Sequence, residues 1–356
     1  MTPGRSTVTV AAAALALVLA LALIGCGGGS SSGSGEKTGG GAIEGAGATS
    51  PQPLYEQWAK RFKARTGTTV NYDPVGSGDG IAQFVAGTAD FGATDVAMNA
   101  AELRAAAKKG RPVHVPTALG AVAVAYRVPG LGPGLRLDGA TLAGLFLGRI
   151  RRWDDPRIRA LNPGRRLPGV RVAVVHRGDD SGTTQLFTAF LGAASPEWAR
   201  RVGSAKAVTW PVGAAAAGNA GVAGAVSRTG GAVGFVGLAY AVRGGLATAS
   251  LRNRAGAFVA PSVQSTAAAA SGRPADPGAY PIASPTFLLV FADMCKAGRS
   301  RNAAQLVDNW LHYALTMGQA AATGLHYAPL PAGTLAAARA SVARVRCNGA
   351  LLKPRT

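Results

Sequence analysis

Three glycine-rich loops of the sequence carry hydroxyl side chains directly before predicted helices. They span residues 45–51 (GAGATSP), 76–80 (GSGDG) and 176–184 (HRGDDSGTT). A helix N-terminus presents unpaired N–H groups and about half a positive charge, so it suits an anion, and a hydroxyl adds one more donor. One such loop is usually only a capped helix start. Three loops, one of which carries the forked donor Arg177, predict a site that holds an oxyanion.

A carboxylate follows a strand-like segment at residues 90–95 (DFGATD). Taken alone, Asp95 is better explained as a turn residue or as the cap of the following segment. Among donors it has a different meaning, because an ionised carboxylate only accepts hydrogen bonds and repels a fully deprotonated ligand. Asp95 would therefore favour monohydrogen phosphate, which has an O–H to donate, over sulfate.

The elements that must position these loops follow an α/β pattern from Ile43 onward. Strand-like segments at residues 69–72 and 172–175 lead into the second and third loops, and apolar residues at helical spacing follow each loop. After the first loop the spacing predicts a helix with Thr49 or Ser50 as its N-cap. A chain of 356 residues, 48% of them hydrophobic, has the size of two domains with buried cores.

The composition excludes several function classes. The formal charge of +20 first suggests nucleic acid, but the basic residues are dispersed and aromatic residues make up only 6%, so we expect a basic solvated surface and no nucleic-acid binding. Three cysteines and four histidines lack the spacing of a zinc site, and we expect neither a metal nor a cofactor.

The N-terminus has the pattern of an export signal. An apolar run at residues 8–24 ends at Leu23-Ile24-Gly25-Cys26, which resembles the lipobox of bacterial lipoproteins. We expect residues 1–25 to be the signal peptide, Cys26 to be lipidated, and residues 26–42, rich in Gly and Ser, to be a tether. The alternative is an uncleaved membrane anchor, and both interpretations place the rest of the protein outside the membrane.

Two cysteines remain after the lipidated one is set aside. Exported proteins occupy compartments in which disulfides persist, so we expect Cys295 and Cys347 to pair, although the sequence does not fix their distance.

Together these segments give the chain a specific family resemblance. From about Gly45 to Leu330 it resembles the phosphate-binding proteins of bacterial high-affinity phosphate ABC transporters. Beyond the loops, the resemblance rests on segments spread along the chain, namely residues 137–148, 152–155, 161–164, 210–213, 231–235 and 280–282. It implies a two-lobed, venus-flytrap (type II) periplasmic-binding-protein fold with two interdomain crossovers. It also implies a monomeric non-enzyme that delivers inorganic phosphate to membrane permease subunits.

The resemblance assigns roles residue by residue. The phosphate contacts fall on eight positions: Thr49, Ser50, Ser77, Asp95, Arg177, Ser181, Gly182 and Thr183. Asp179 matches a carboxylate that orients the site arginine. The sequence departs from the pattern at Ser50, where relatives carry Phe, and at Ala220, where an acidic residue is familiar. The contact through the backbone N–H of Ser50 is expected to survive, with reduced apolar shielding.

The resemblance also divides the chain. Residues 43–125 and 284–356 are expected to form lobe I, and residues 126–283 lobe II.

Three alternatives remain from the residues themselves. A secreted phosphohydrolase would use Ser181 as nucleophile and His176 as base, although no partner orients that histidine. A binding protein for another oxyanion, such as sulfate or molybdate, would share the donor loops but not the need for Asp95. An adhesin or sensor lipoprotein could keep the same fold.

Overall fold

The computed structural model describes residues 40–273 and 275–354. The predicted signal peptide, Cys26 and all of the predicted tether except residues 40–42 lie outside the described residues.

The described chain alternates strands and helices. The strands are β1 (Ala42–Gly47), β2 (Thr69–Asp73), β3 (Phe91–Thr94), β4 (Pro112–Arg127), β5 (Arg136–Leu137), β6 (Ala173–Arg177), β7 (Ala214–Ala216), β8 (Ala232–Gly237), β9 (Ala247–Thr248), β10 (Ser250–Arg252), β11 (Phe258–Val259), β12 (Ala283–Phe291), β13 (Arg346–Cys347) and β14 (Ala350–Leu351). The helices are α1 (Gln52–Thr66), α2 (Ser77–Ala86), α3 (Ala100–Ala107), α4 (Gly139–Phe146), α5 (Pro156–Leu161), α6 (Gly182–Ala194), α7 (Pro196–Arg201), α8 (Gly218–Arg228), α9 (Leu238–Arg243), α10 (Val263–Ala269), α11 (Arg301–Leu315), α12 (Gln319–Ala322) and α13 (Ala332–Val342), with a 3-10 turn at Thr323–Leu325.

One mixed sheet organises the fold, with strand order β2-β1-β3-β12-β4-β8-β6-β7. Pairing is parallel at both ends of this order, where strands feed helices, and antiparallel where β12 and β4 join the two ends. Ligands of open α/β sheets bind where the carboxyl ends of parallel strands meet helix N-termini. The three predicted loops lie at such ends, after β1, β2 and β6.

Strand β4 links the two halves of the sheet. Its first part pairs with β12 as far as Ala121, and its second part pairs with β8 from Val122 onward. We call residues 40–121 with 283–354 the first lobe and residues 122–282 the second lobe. The chain crosses between them within β4 and again at the start of β12. The boundary expected at 125/126 lies inside the part of β4 that pairs with β8.

Each lobe has its own hydrophobic core. The first is built on aromatic side chains of α1 and α11, among them Trp58, Phe62 and Trp310, and the second on Trp153, Phe187 and neighbouring aliphatic residues. Burial of such large side chains is the main favourable term in folding, at roughly 25 cal/mol per Å² of apolar surface. Two separately packed cores joined by two strands confirm the predicted two-lobed α/β fold class.

The start of α1 differs from the sequence prediction. Pro51 occupies the N-cap position and no side chain caps the helix, so the prediction of Thr49 or Ser50 as N-cap is wrong. The carbonyl of Pro51 accepts the first-turn N–H groups of Leu54 and Tyr55 at 2.9 Å each. The Thr49 hydroxyl makes tertiary hydrogen bonds instead, described below.

Candidate functional site

The first loop connects β1 to α1 and is held by tyrosines from two directions. Tyr240 of α9 donates its hydroxyl to the carbonyl of Thr49 at 2.8 Å, and Tyr327 donates to the carbonyl of Ser50 at 2.6 Å. Thr49 and Ser50 are both buried. Because their carbonyls are occupied, the backbone of the loop is fixed at Thr49 and Ser50.

The second loop places Ser77 at the first turn of α2, next to the end of β3. The backbone N–H of Asp95 donates to the Ser77 hydroxyl over 3.3 Å. Gly182 of the second lobe lies so close that a Cβ atom there would stand 2.6 Å from the Ser77 hydroxyl oxygen and 2.9 Å from the Asp95 Cβ. Only glycine permits this approach, so Gly182 brings the two lobes into contact at the site.

The third loop leaves β6 at Arg177 and enters α6 at Ser181. The Arg177 side chain is 1% exposed, and its Nε and Nη2 atoms both pair with the carboxylate of Asp179. Asp179 also accepts the backbone N–H of Gly218 at 3.0 Å. Burial raises the pKa of the Asp179 carboxyl, but the hydrogen bonds and charge of Arg177 outweigh this and lower it. Asp179 therefore stays ionised and fixes the orientation of the guanidinium.

The pairing of Arg177 with Asp179 does not use the Nη1 atom of Arg177. This atom is buried and has no hydrogen-bond partner among the described residues. An unpaired buried cationic donor costs free energy, so such groups normally point at a ligand or an ion.

Asp95 directly follows β3, where a donor of the second lobe reaches it. The Thr183 hydroxyl donates to its carboxylate over 3.4 Å. Burial raises the pKa of Asp95 to about 6, while the charge of Arg177 and the hydroxyl contacts act in the opposite direction. Near neutral pH the carboxylate is thus ionised and close to its titration range.

The α6 N-terminus is formed as the sequence predicts. Ser181 is the N-cap, and its hydroxyl accepts the N–H of Thr184 at 3.2 Å. The N–H groups of Gly182 and Thr183 open the helix beside Asp95. The structure thus assembles all three loops and Asp95 around one interlobe site.

Asn219, at the start of α8, is a site residue whose role the sequence does not reveal. Its Nδ2 donates to the hydroxyl of Thr49 at 2.7 Å and to that of Thr183 at 3.5 Å, while Gly237 donates to its Oδ1 at 2.7 Å. Asn219 is fully buried and joins the first loop to the third. In the sequence, a polar residue after glycine looks like an ordinary helix start. The burial of Asn219 in the structure is what distinguishes it as a site residue.

Ala220 follows Asn219 but faces away from these loops. It lines a surface cavity with residues of α1 and α9, including Gln52 and Tyr240. The departure from an acidic residue at this position therefore changes the cavity wall and leaves the contacts of Asn219 in place.

His176 has structural contacts of its own. Its ring stacks on Trp210 with centroids 4.7 Å apart, and its Nδ1 lies 3.0 Å from the carbonyl oxygen of Arg177. Neither contact orients it toward Ser181, whose hydroxyl serves the helix cap. Within residues 40–273 and 275–354, no cluster of three His, Cys, Asp or Glu could hold a metal ion.

Comparisons with known proteins agree on one family. The family model of the PBP superfamily domain matches residues 32–316. The phosphate-binding protein PstS of Xylella fastidiosa (strain Temecula1) is 38% identical over 311 residues, which cover 83% of this chain and 83% of that protein. PstS of Pasteurella multocida (strain Pm70) is 39% identical over 304 residues, or 81% of this chain and 86% of that protein.

A solved structure supports the same fold. The periplasmic phosphate-binding protein PfluDING, determined with bound phosphate, aligns with a TM-score of 0.68 at 23% identity and covers 88% of this chain and 100% of that chain. At this identity the likeness is one of fold.

Proposed function

The chain belongs to the PstS family of phosphate-binding proteins, and on this premise we propose that it binds inorganic phosphate outside the cytoplasm and delivers it to an ABC-type permease. The observation that carries the proposal is the buried Nη1 of Arg177, which has no partner among the described residues, in a site where hydroxyl and N–H donors lie around the carboxylate of Asp95. This arrangement suits an anion that both accepts and donates hydrogen bonds.

Eight residues are proposed to hold the phosphate. The donors are Thr49, the backbone N–H of Ser50, Ser77, Arg177, Ser181, Gly182 and Thr183, and Asp95 is the acceptor. Asp179 positions Arg177 through its paired hydrogen bonds. The oxygens of a protonated oxyanion can accept hydrogen bonds from the donors, and its O–H can donate to Asp95. Sulfate has no proton to donate and leaves Asp95 facing a second negative charge.

Binding is proposed to close the two lobes over the ligand. The first lobe supplies Thr49, Ser50, Ser77 and Asp95, and the second supplies Arg177 and the α6 N-terminus. A ligand that contacts both favours the closed state by the free energy of its contacts in that state. The crossover segments in β4 and at the start of β12 are the proposed hinge, and the closed form is the signal that the permease recognises.

The family places the protein outside the cytoplasm, and a lipid on Cys26 is proposed to hold it at the membrane. Cys26 lies outside the described residues, and the support for the anchor is the Leu23–Cys26 motif after an apolar run. The protein is proposed to act as a monomer and without catalysis. His176 makes no contact that would activate Ser181, which supports a binding role.

Isothermal titration of the protein with inorganic phosphate, sulfate and a phosphomonoester tests the function. We expect tight binding of phosphate and far weaker binding of sulfate and of the monoester, whose substituent would have to enter among buried residues. Equal affinity for sulfate would reassign the ligand to another oxyanion, and turnover of the monoester would make the protein a hydrolase.

A further inference from the structure

A partly buried ion pair joins the two lobes and includes none of the proposed phosphate contacts. The Nζ atom of Lys206, in the segment after α7, contacts Oε1 of Glu102 in the first turn of α3. The two side chains are 9% and 19% exposed. Among the residues the structure describes, the other ion pairs lie within one lobe.

The glutamate is fixed before the lysine reaches it. Its other oxygen, Oε2, accepts the backbone N–H of Asn99 at 2.8 Å, while the Asn99 side chain caps α3 in return. This capping box holds the carboxylate at the lobe surface in one orientation. Little side-chain entropy remains to be lost when the lysine arrives.

The lysine is tied to the proposed phosphate site through its backbone. The carbonyl of Lys206 accepts the N–H of Ser181 at 2.9 Å, and Ser181 is the N-cap of α6. The contact with Glu102 therefore links the first lobe to the segment that carries Ser181, Gly182 and Thr183. A hydrogen bond also crosses between the lobes nearby, from the N–H of Gly78 to the carbonyl of Asp180 at 2.9 Å.

We propose that Glu102 and Lys206 form a latch that holds the lobes closed over bound phosphate and sets how slowly the ligand leaves. The inference rests on the proposed phosphate function. Neither side chain is among the phosphate contacts, so both act as positioning residues. Because the pair forms only when the lobes meet, it stabilises the closed state and slows reopening, while the encounter of phosphate with the open site is unaffected.

Stopped-flow measurement of phosphate association and dissociation tests the latch with the variants Glu102→Gln, Lys206→Met and their combination. Gln keeps an oxygen for the Asn99 N–H, and Met keeps the apolar stem of the lysine. We expect each single variant to raise the dissociation rate about 5-fold to 50-fold, between the effects of exposed and buried pairs, with the association rate within about twofold. The double variant should add little to either single change.

The control is Arg149→Met, which removes an exposed ion pair with Glu197 inside the second lobe and should leave both rates unchanged. The thermal midpoint of unfolding of the phosphate-free variants should match that of the phosphate-free wild type. The variant Lys206→Arg, which keeps the positive charge, should keep the slow dissociation of the wild type. Unchanged dissociation in both single variants would overturn the latch while leaving phosphate binding intact. If the phosphate-free single variants lose thermal stability relative to the phosphate-free wild type, the latch is also overturned, because the pair then stabilises the protein whether or not phosphate is bound. Failure of the wild type to bind phosphate would refute the proposed function itself.

Discussion

The carboxylate of Asp179 takes two of the three guanidinium nitrogens of Arg177 and leaves Nη1 without a partner among the described residues. The pair lies within one loop, so its geometry does not depend on the closure of the lobes. Arg177 is therefore oriented before any ligand arrives, and less entropy is lost when its free nitrogen makes a contact.

Replacing Arg177 with Ala should weaken phosphate binding about 10-fold to 100-fold, because it removes a charge-assisted hydrogen bond worth roughly 1.5–3 kcal/mol. Titration calorimetry at fixed salt measures the change. Arg152→Ala is the matched control, since Arg152 pairs with Asp154 on the surface. Undiminished affinity in the Arg177 variant would mean that the ligand binds elsewhere.

Replacing Asp95 with Asn should narrow the preference for phosphate over sulfate. The amide oxygen still accepts the phosphate proton, so phosphate loses little, whereas the amide NH₂ can donate to sulfate and the repulsion is gone. A site built around one hydrogen bond rejects a ligand that lacks it by ~10⁴ or more. Competition binding at pH 7 measures the ratio of the two affinities, and an unchanged ratio would show that Asp95 does not recognise the proton.

Sulfate binding by the wild type should strengthen as the pH falls from 8 to 5. Burial raises the pKa of Asp95 to about 6, so the carboxyl becomes neutral as the pH drops through this value and can then donate to sulfate. The matched control is Asp95→Asn, whose sulfate affinity should be flat over the same range. A wild-type profile as flat as that of the variant would contradict the assignment of Asp95.

Removing the disulfide between Cys295 and Cys347 should lower stability without affecting the ligand. The bond joins residues 52 positions apart in the first lobe, and loop-closure entropy for this separation gives about 4 kcal/mol. Chemical denaturation of the double Ser variant measures the free energy of unfolding. Phosphate affinity should stay within about twofold of the wild type, and a larger change would mean that the disulfide shapes the site.

Replacing Cys26 with Ala should release the protein from membranes or leave it unprocessed, because the modified cysteine supplies the acyl chains that stable anchoring needs. Cell fractionation and mass spectrometry of the product measure both outcomes. A conservative change at Ser30 in the neighbouring tether serves as control. An unchanged mass and location would contradict lipidation at Cys26.

The loops, Asp95 and the fold class could be predicted from the sequence because each has a local signal. A strand-to-helix junction with glycine and hydroxyl residues can be recognised from a short stretch of sequence, and Asp95 follows a short apolar strand. Asn219 and Tyr240 have no such signal, since their importance comes from partners more than 160 positions away. The contact of Lys206 with Glu102 likewise follows from tertiary packing alone. The start of α1 was mispredicted because the Thr49 hydroxyl bonds to Asn219 across the lobes and not to its own helix.

The order of strands in the sheet also governs how the chain can fold as it emerges N-terminus first. The second lobe is one continuous stretch, so its strands can pair as soon as residue 282 appears. In the first lobe, β12 lies between β3 and β4, and until it arrives these two strands have open edges facing each other across a gap. Unpaired edges invite aggregation, and non-local pairings form slowly. In the order in which the chain emerges, these two strand edges therefore stay unpaired until residues 283–291 have been made.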